Sequence, residues 1–324
     1  MRESILETLR QERHISGQEI GKRLSISRTA VWKHVNELRK IGYQIESSSK
    51  IGYTFIKSTN LLLSEEIEFG LNTQIMGKKV VHYNTVSSTQ DIAGEMARCG
   101  AAEGTLVIAE MQEKGRGRKG RNWVSLPESG IYFSLILRPN LLPSQVTQIP
   151  LVAGIALTRA IRKTVPLQTT IKWPNDIFIG KKKVGGILTE MSSEIDGINF
   201  IVLGIGLNVN MPASLLRGVP DGAATSLIEE CGEHTSRVKL VQNFLREFEL
   251  TYNKYLNFGF SSLRDEWKTL NNIIGARVKA IGGEKEIEGM VIDIDDNGFL
   301  LIKKDDGEVS MIVTGDVSFC GCAP

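Results

Sequence analysis

The chain has 324 residues, 41% of them hydrophobic and 23% charged, which fits a soluble globular protein with room for two or three domains. A formal net charge of +2 excludes a uniformly acidic or basic surface, so any electrostatic function has to be local. No apolar run approaches the roughly 20 residues of a bilayer span, and the opening MRESILETLRQERH is no secretory signal; a cytoplasmic protein with no membrane partner is expected.

Residues 1–60 predict a winged helix-turn-helix. Ile5, Leu6, Leu9, Ile20 and Leu24 fall at helical spacing, and Ser16 with Glu19 three residues on reads as a capping box. Ser27 caps RTAVWKHVNELRKIG, where Ala30, Val31, Val35 and Leu38 form one apolar stripe. Two short helices joined by a tight turn place Gln18, Ser27, Arg28, Thr29, Lys33 and His34 as candidate DNA contacts. The alternating YQIESSSKIGYTFIK adds a hairpin wing. Residues 1–57 carry eleven Lys and Arg against six Glu, about +5, an excess suited to phosphate contact.

Residues 64–270 predict a mixed β-sheet with helices. LVIAEMQ, GIYFSLILRP, TIKWPNDIFI, VGGILTEMSS and FIVLGIGLNVN read as buried strands, and VKLVQNFLREFELTYNKYL as a long amphipathic helix. Residues 275–324 are short alternating strands between GG, DDNG and DDG turns, a small SH3-like β-barrel, so the chain as a whole reads as α+β. Its tail FCGCAP holds Cys320 and Cys322, but two thiols without a nearby His or second Cys pair make a poor zinc site.

Three stretches carry chemistry. EKGRGRKGRNW (Glu113–Trp123) puts five cations within eight residues, with Gly115, Gly117 and Gly120 between them. Arg116, Arg118 and Arg121 offer planar forks for phosphate or carboxylate, and the run repels itself until an anion neutralises it. Its place between two core strands favours a ligand-clamping loop over a solvated charge run or an RGG-type tether. It is no P-loop, lacking the Gly-Lys-Ser/Thr ending, and GIGLNVN fails as a dinucleotide fingerprint because its third glycine position is Val209. KWPND delivers Asn175 and Asp176 at a strand exit, where Asp176 is a candidate Mg²⁺ ligand; Lys183 opens the buried KVGGILTE and can stabilise charge on a transferring phosphoryl group. VSSTQD (residues 86–91) either caps the following helix or turns its hydroxyls to a polar small molecule.

In this order and spacing, SST at Ser87–Thr89, GRGRKGR at Gly115–Arg121, KWPND, KVGGIL and GIGLNVN resemble one family over nearly the whole chain: bifunctional biotin protein ligases that also act as biotin-operon repressors. The resemblance implies a central domain like that of class II aminoacyl-tRNA synthetases and biotin ligases. It implies biotin contacts from Ser88, Thr89, Gln90, Gln112, Gly115, Arg116, Gly117, Arg118 and Lys183, with Lys183 and Arg118 catalytic. Arg118, Arg121, Asn175, Asp176 and Asn208 would serve ATP and Mg²⁺, and residues 211–224 would cover the adenine. The implied reaction makes biotinyl-5′-AMP and passes biotin to a lysine on the carrier domain of acetyl-CoA or pyruvate carboxylase. The loaded protein would dimerise on operator DNA. A regulator that only senses a small ligand, or a lipoate-type ligase on the same scaffold, are the alternatives.

Overall fold

A computed structural model describes residues 1–194, 197–216, 224–282 and 285–320, and the chain divides into two compact units, residues 1–66 and 67–324. Residues 217–223 of the expected adenine-covering segment, and the tail from 321 with Cys322, lie outside the described residues.

The first unit contains α1 (Arg2–Gln11), α2 (Gly17–Leu24), α3 (Arg28–Lys40) and the antiparallel hairpin β1 (Gln44–Ser48) and β2 (Gly52–Lys57). Ser16 Oγ accepts the Glu19 N–H and Ser27 Oγ the Ala30 N–H, each at 3.1 Å, satisfying donors that α2 and α3 leave open. Only half of the expected capping box forms, because the Glu19 carboxylate pairs with Arg23 at 3.1 Å instead of reaching back. The turn after α2 is tight: Ser25 is left-handed, and a Cβ on Gly21 would sit 2.6 Å from the Ile26 carbonyl. Ile5, Leu6, Leu9, Ile20, Val31, Val35 and Leu38 meet as one core, so the helical stripes read from the sequence face inward together.

After α4 (Ser64–Glu68), the second unit is built on a seven-stranded sheet. Its strands are β3 (Lys79–Val86), β4 (Thr105–Gln112), β5 (Gly130–Leu137), β6 (Thr169–Lys172), β7 (Asp176–Ile179), β8 (Lys182–Glu194) and β9 (Gly197–Asn208). The spatial order is β3-β4-β5-β9-β8-β7-β6; β3 and β4 are parallel and every other neighbour antiparallel. One face receives α5 (Thr89–Arg98) through Ala93, Ala97, Val107, Ile136 and Val202. The other is covered by α6 (Ile149–Thr164) and, after the short α7 (Ala213–Leu216) and α8 (Leu227–Cys231), by α9 (Arg237–Phe258). There Phe133, Phe244, Phe248 and Tyr252 follow one another at centroid distances of 5.3–5.5 Å.

Beyond α10 (Ser261–Leu270) lie β10 (Arg277–Gly282), β11 (Lys285–Ile294), β12 (Leu300–Lys303), β13 (Val309–Ile312) and β14 (Asp316–Phe319), an antiparallel sheet in the order β13-β12-β11-β10-β14. No main-chain pairing joins β13 to β14 among the described residues, so the expected barrel is not closed by hydrogen bonds. The Trp173 indole N–H reaches the Gly298 carbonyl at 3.0 Å, tying the turn after β6 to this sheet.

Phe244 is 1% exposed at the centre of the aromatic row, so Phe244→Ala is expected to cost about 3–5 kcal/mol. Equilibrium urea unfolding checks this, and a loss below about 1 kcal/mol would mean the row is not a packed core.

Candidate functional site

The site face is the side of the sheet that carries α5. Gly186, Leu188 and Glu190 on β8 alternate onto it with Val202, Gly204 and Gly206 on β9 and Ser134 on β5, paired in register. The two β9 glycines are required by what crosses them. A Cβ on Gly206 would stand 2.6 Å from the Trp123 ring, and one on Gly204 would stand 2.7 Å from Gln90 Oε1. The small residues therefore cut a trough, and Trp123 and Gln90 lie in it.

At the α5 end of the trough, a buried polar cluster forms. The Thr89 N–H donates to Gln112 Oε1 at 2.8 Å, which fixes the orientation of the Gln112 amide. Thr89 Oγ1 lies 3.0 Å from the same oxygen and 2.9 Å from Ser134 Oγ, while Ser134 Oγ lies 2.7 Å from Gln90 Oε1. Two hydroxyl protons thus face three acceptor contacts, so the cluster has spare acceptor capacity. Ser88 Oγ, also buried, has no hydrogen-bond partner among the described residues. Ser88 stands at the N-cap position of α5 without capping it, which removes the capping explanation for VSSTQD.

The loop after β4 folds back on itself. The Gly117 N–H donates to the Arg121 carbonyl at 2.7 Å and the Trp123 N–H to the Gly115 carbonyl at 2.8 Å, around a turn with Lys119 and Gly120 at positive φ. The self-repulsion expected of five cations is offset at four of them by carboxylates from elsewhere in the unit. Arg116 pairs with Asp91 at 2.7 Å and Glu190 at 3.5 Å. Asp316, at the start of β14, faces Arg118 at 3.3 Å, Lys119 at 3.2 Å and Arg121 at 3.1 Å. Burial works to raise the Asp316 pKa, but these three cations outweigh it and hold the carboxyl below its ordinary range.

Arg118 is the meeting point of three segments, donating also to Asn175 Oδ1 at 3.2 Å and the Gly315 carbonyl at 3.0 Å. Asn175 is oriented by donating its amide to the Ile187 carbonyl at 2.8 Å. A cleft of about 270 Å³ lined by Arg118, Trp173, Asn175, Ile187 and Val313 opens beside this junction. Lys183 arrives by a β-bulge: Ile177 pairs with Gly185 but Phe178 with Lys183, so Val184 is the extra residue. The bulge brings Lys183 Nζ to 5.6 Å from the Trp123 ring centroid and 2.7 Å from Asp176 Oδ1. That oxygen accepts no hydrogen bond among the described residues, so the contact is an ion pair of poor hydrogen-bond geometry.

The geometry therefore gathers Ser88, Thr89, Gln90, Gln112, Gly115, Arg116 and Gly117 at one end, and Arg118, Arg121, Asn175, Asp176 and Lys183 at the other. Asn208 reaches this end only through Thr225, donating its amide to the Thr225 carbonyl at 3.0 Å while the Thr225 N–H donates to the Lys183 carbonyl at 2.9 Å. Sequence reasoning passed over Ser134, Glu190 and Asp316, none of which sits in a distinctive motif. Trp123 carried a signal as the aromatic closing the cationic run.

In the first unit Gln18, Arg28, Thr29 and Lys33 are exposed, whereas Ser27 is engaged as the α3 cap and His34 contacts Glu37 at 3.1 Å. Trp32, 58% exposed beside them, was not among the expected contacts although it falls off the apolar stripe.

A winged helix-turn-helix unit joined to a mixed-sheet unit whose cation-rich loop borders a polar trough defines a ligand-activating enzyme that carries a DNA-binding module. The biotin/lipoate A/B protein ligase family model matches residues 83–208, an HTH domain residues 2–54, and the biotin protein ligase C terminal domain residues 273–320. The bifunctional ligase/repressor BirA of Bacillus subtilis (strain 168) is 40% identical over 319 residues, covering 98% of each chain. That of Escherichia coli (strain K12) is 31% identical over 94% of this chain and 92% of its own. Among solved structures, the biotin protein ligase from Aquifex aeolicus in complex with biotin and ATP is 30% identical and superimposes with a TM-score of 0.63 over 74% of this chain and 98% of its own. The chain belongs to the bifunctional biotin ligase/repressor family.

If Asp316 supplies the counter-charge of the loop, Asp316→Asn should speed trypsin cleavage after Arg118, Lys119 and Arg121 in the ligand-free protein. A digestion time course identical to that of the unaltered chain would show that the loop is held by other contacts.

Proposed function

We propose that the chain activates biotin with Mg·ATP to biotinyl-5′-AMP and transfers biotin to a carrier-domain lysine. The loaded protein also serves as a DNA-binding repressor. The observation that carries the substrate choice is the hydrogen-bond inventory of the buried cluster. A cyclic urea presents one carbonyl and two N–H donors; the carbonyl suits a hydroxyl such as Ser88, and the N–H groups suit the spare acceptors around Thr89, Gln112 and Ser134. The dithiolane ring of lipoate has no N–H to offer, and would leave those groups buried and unpaired. The Aquifex relative bound biotin and ATP, which supports the same reading.

At the other end, the cations are suited to a carboxylate attacking a phosphate. In the first step a biotin carboxylate oxygen bonds to the α-phosphorus and pyrophosphate leaves. In the second, the lysine amine attacks the mixed anhydride, forms an amide and releases AMP. Lys183 and Arg118 offset the negative charge that gathers on the α-phosphate as these bonds exchange, and Arg121 with Asn175 orients the triphosphate. Gly115, Arg116 and Gly117 carry the loop over the ring, and Gln90 holds the trough floor beneath it. The closed loop keeps water from the anhydride. Asn208 contributes through the segment near Thr225, next to the expected adenine cover. Asp176 is a single carboxylate already facing Lys183, and no three His, Cys, Asp or Glu side chains converge among the described residues. Magnesium is accordingly taken as part of the Mg·ATP substrate, with Asp176 touching it through water or phosphate.

For the regulatory half, exposed Arg28, Thr29 and Lys33 at the start of α3 enter a major groove, assisted by Gln18 and positioned by the Ser27 cap and His34. Two loaded copies read a palindromic operator as a homodimer. The carrier belongs to acetyl-CoA or pyruvate carboxylase, and the protein works in the cytoplasm; among the described residues no helix is long and apolar enough to cross a membrane.

Purified protein should release pyrophosphate only when biotin and ATP are both present; no release with both, or release with lipoate in place of biotin, would reject the reading. Lys183→Ala should reduce single-turnover adenylate formation by roughly 10²–10³-fold, as the loss of one charge-stabilising donor does, while changing biotin affinity little. Normal turnover would remove Lys183 from the chemistry. A chain beginning at residue 67 should lose operator binding in a gel-shift assay yet keep pyrophosphate release; retained operator binding would place the DNA contacts elsewhere.

A further inference from the structure

Glu190 is attached to both halves of the vitamin end of the site. Its Oε2 accepts from Gln90 Nε2 at 3.1 Å and lies 3.5 Å from Arg116 Nη2. Gln90 is 5% exposed, and its orientation is determined by its neighbours. Its Nε2 faces two acceptors, Glu190 and the Val202 carbonyl at 3.4 Å, while its Oε1 faces the Ser134 hydroxyl at 2.7 Å. Turning the amide over would set its oxygen against a carboxylate and a carbonyl. Thr89 Oγ1 touches Ser134 at 2.9 Å. An unbroken line of polar contacts thus runs from Thr89 through Ser134, Gln90 and Glu190 to Arg116.

We propose that Glu190 is a positioning residue for the loop: through Gln90 it senses whether the ring pocket is filled, and through Arg116 it sets how firmly the loop stays closed. The inference rests on the biotin-ligase reading and assigns within it a residue that makes no contact with the reacting atoms. The line has only two movable ends, the ligand-facing hydroxyls and the loop arginine. Between them, Gln90 lies over Gly204, where a Cβ would stand 2.7 Å from its Oε1. Asp91, accepting from Arg116 at 2.7 Å, is the second anchor of the same guanidinium and meets the line only at that arginine among the described residues. Loss of Glu190 should therefore loosen the loop without freeing it.

The test is a double-mutant cycle on Glu190 and Arg116 in the full-length protein, reading the rate at which labelled biotinyl-5′-AMP leaves in a chase with unlabelled biotin. Glu190→Ala should speed departure by about two- to fivefold, the size ordinary for a half-exposed ion pair. It should have little further effect once Arg116 is alanine. Glu190→Gln, which keeps the acceptor oxygen but not the charge, should recover part of the retention. Single-turnover adenylation should be nearly unchanged in Glu190→Ala, and its thermal unfolding should match that of the unaltered chain. Equal retention in all four proteins, or the same fold-loss from Glu190→Ala with and without Arg116, would overturn the inference while leaving the ligase reading intact. Failure of the unaltered chain to form any adenylate would overturn both.

Discussion

Five positive charges within eight residues repel one another, and folding has to offset that repulsion. The carboxylates that face four of them come from three places far apart in sequence: Asp91 on α5, Glu190 on β8 and Asp316 on β14. Each is held by an element whose position follows from core packing. The loop therefore has a defined resting place, with its guanidinium groups turned toward these carboxylates. Substrate phosphates and the carboxylate being activated present the same charge as these side chains, so they compete for the loop on equal chemical terms.

The sheet is shaped to let this happen. Glycine at 186, 204 and 206 removes side chains from the surface that Trp123 and Gln90 cross, and one extra residue at Val184 turns Lys183 toward the Trp123 ring. The two ends of the trough differ in kind. One is a neutral cluster of hydroxyls and amides with spare acceptors; the other collects Arg118, Arg121 and Lys183. A molecule with a urea at one end and a carboxylate at the other, joined by an apolar chain, matches that division.

Much of this was legible because it is local. Ser16 and Ser27 announce their helices by a hydroxyl three residues ahead of an open N–H, and the stripe of Val31, Val35 and Leu38 fixes which face of α3 is buried. The cationic run, KWPND and KVGGIL are contiguous, so their residue types could be weighed together. What stayed hidden depends on register and on contacts across long separations. Nothing around Glu190 in TEMSS marks it, and only its pairing opposite Val202, beside Gln90, sets it next to the loop and the polar cluster. Asp316 opens β14 of the C-terminal sheet, nearly 200 residues from the loop it faces. The expectation that the loop repels itself omitted these anions, since a charge count along the chain does not see partners that folding brings from elsewhere.

The central claim is that the cationic segment closes on an activated carboxylate, and amide hydrogen exchange of residues 113–124 measures that most directly. The account predicts some protection from the carboxylate contacts in the free protein, and the largest further gain when biotin and ATP are supplied together, beyond that with either alone. Exchange in this segment that is the same in all four states would contradict it.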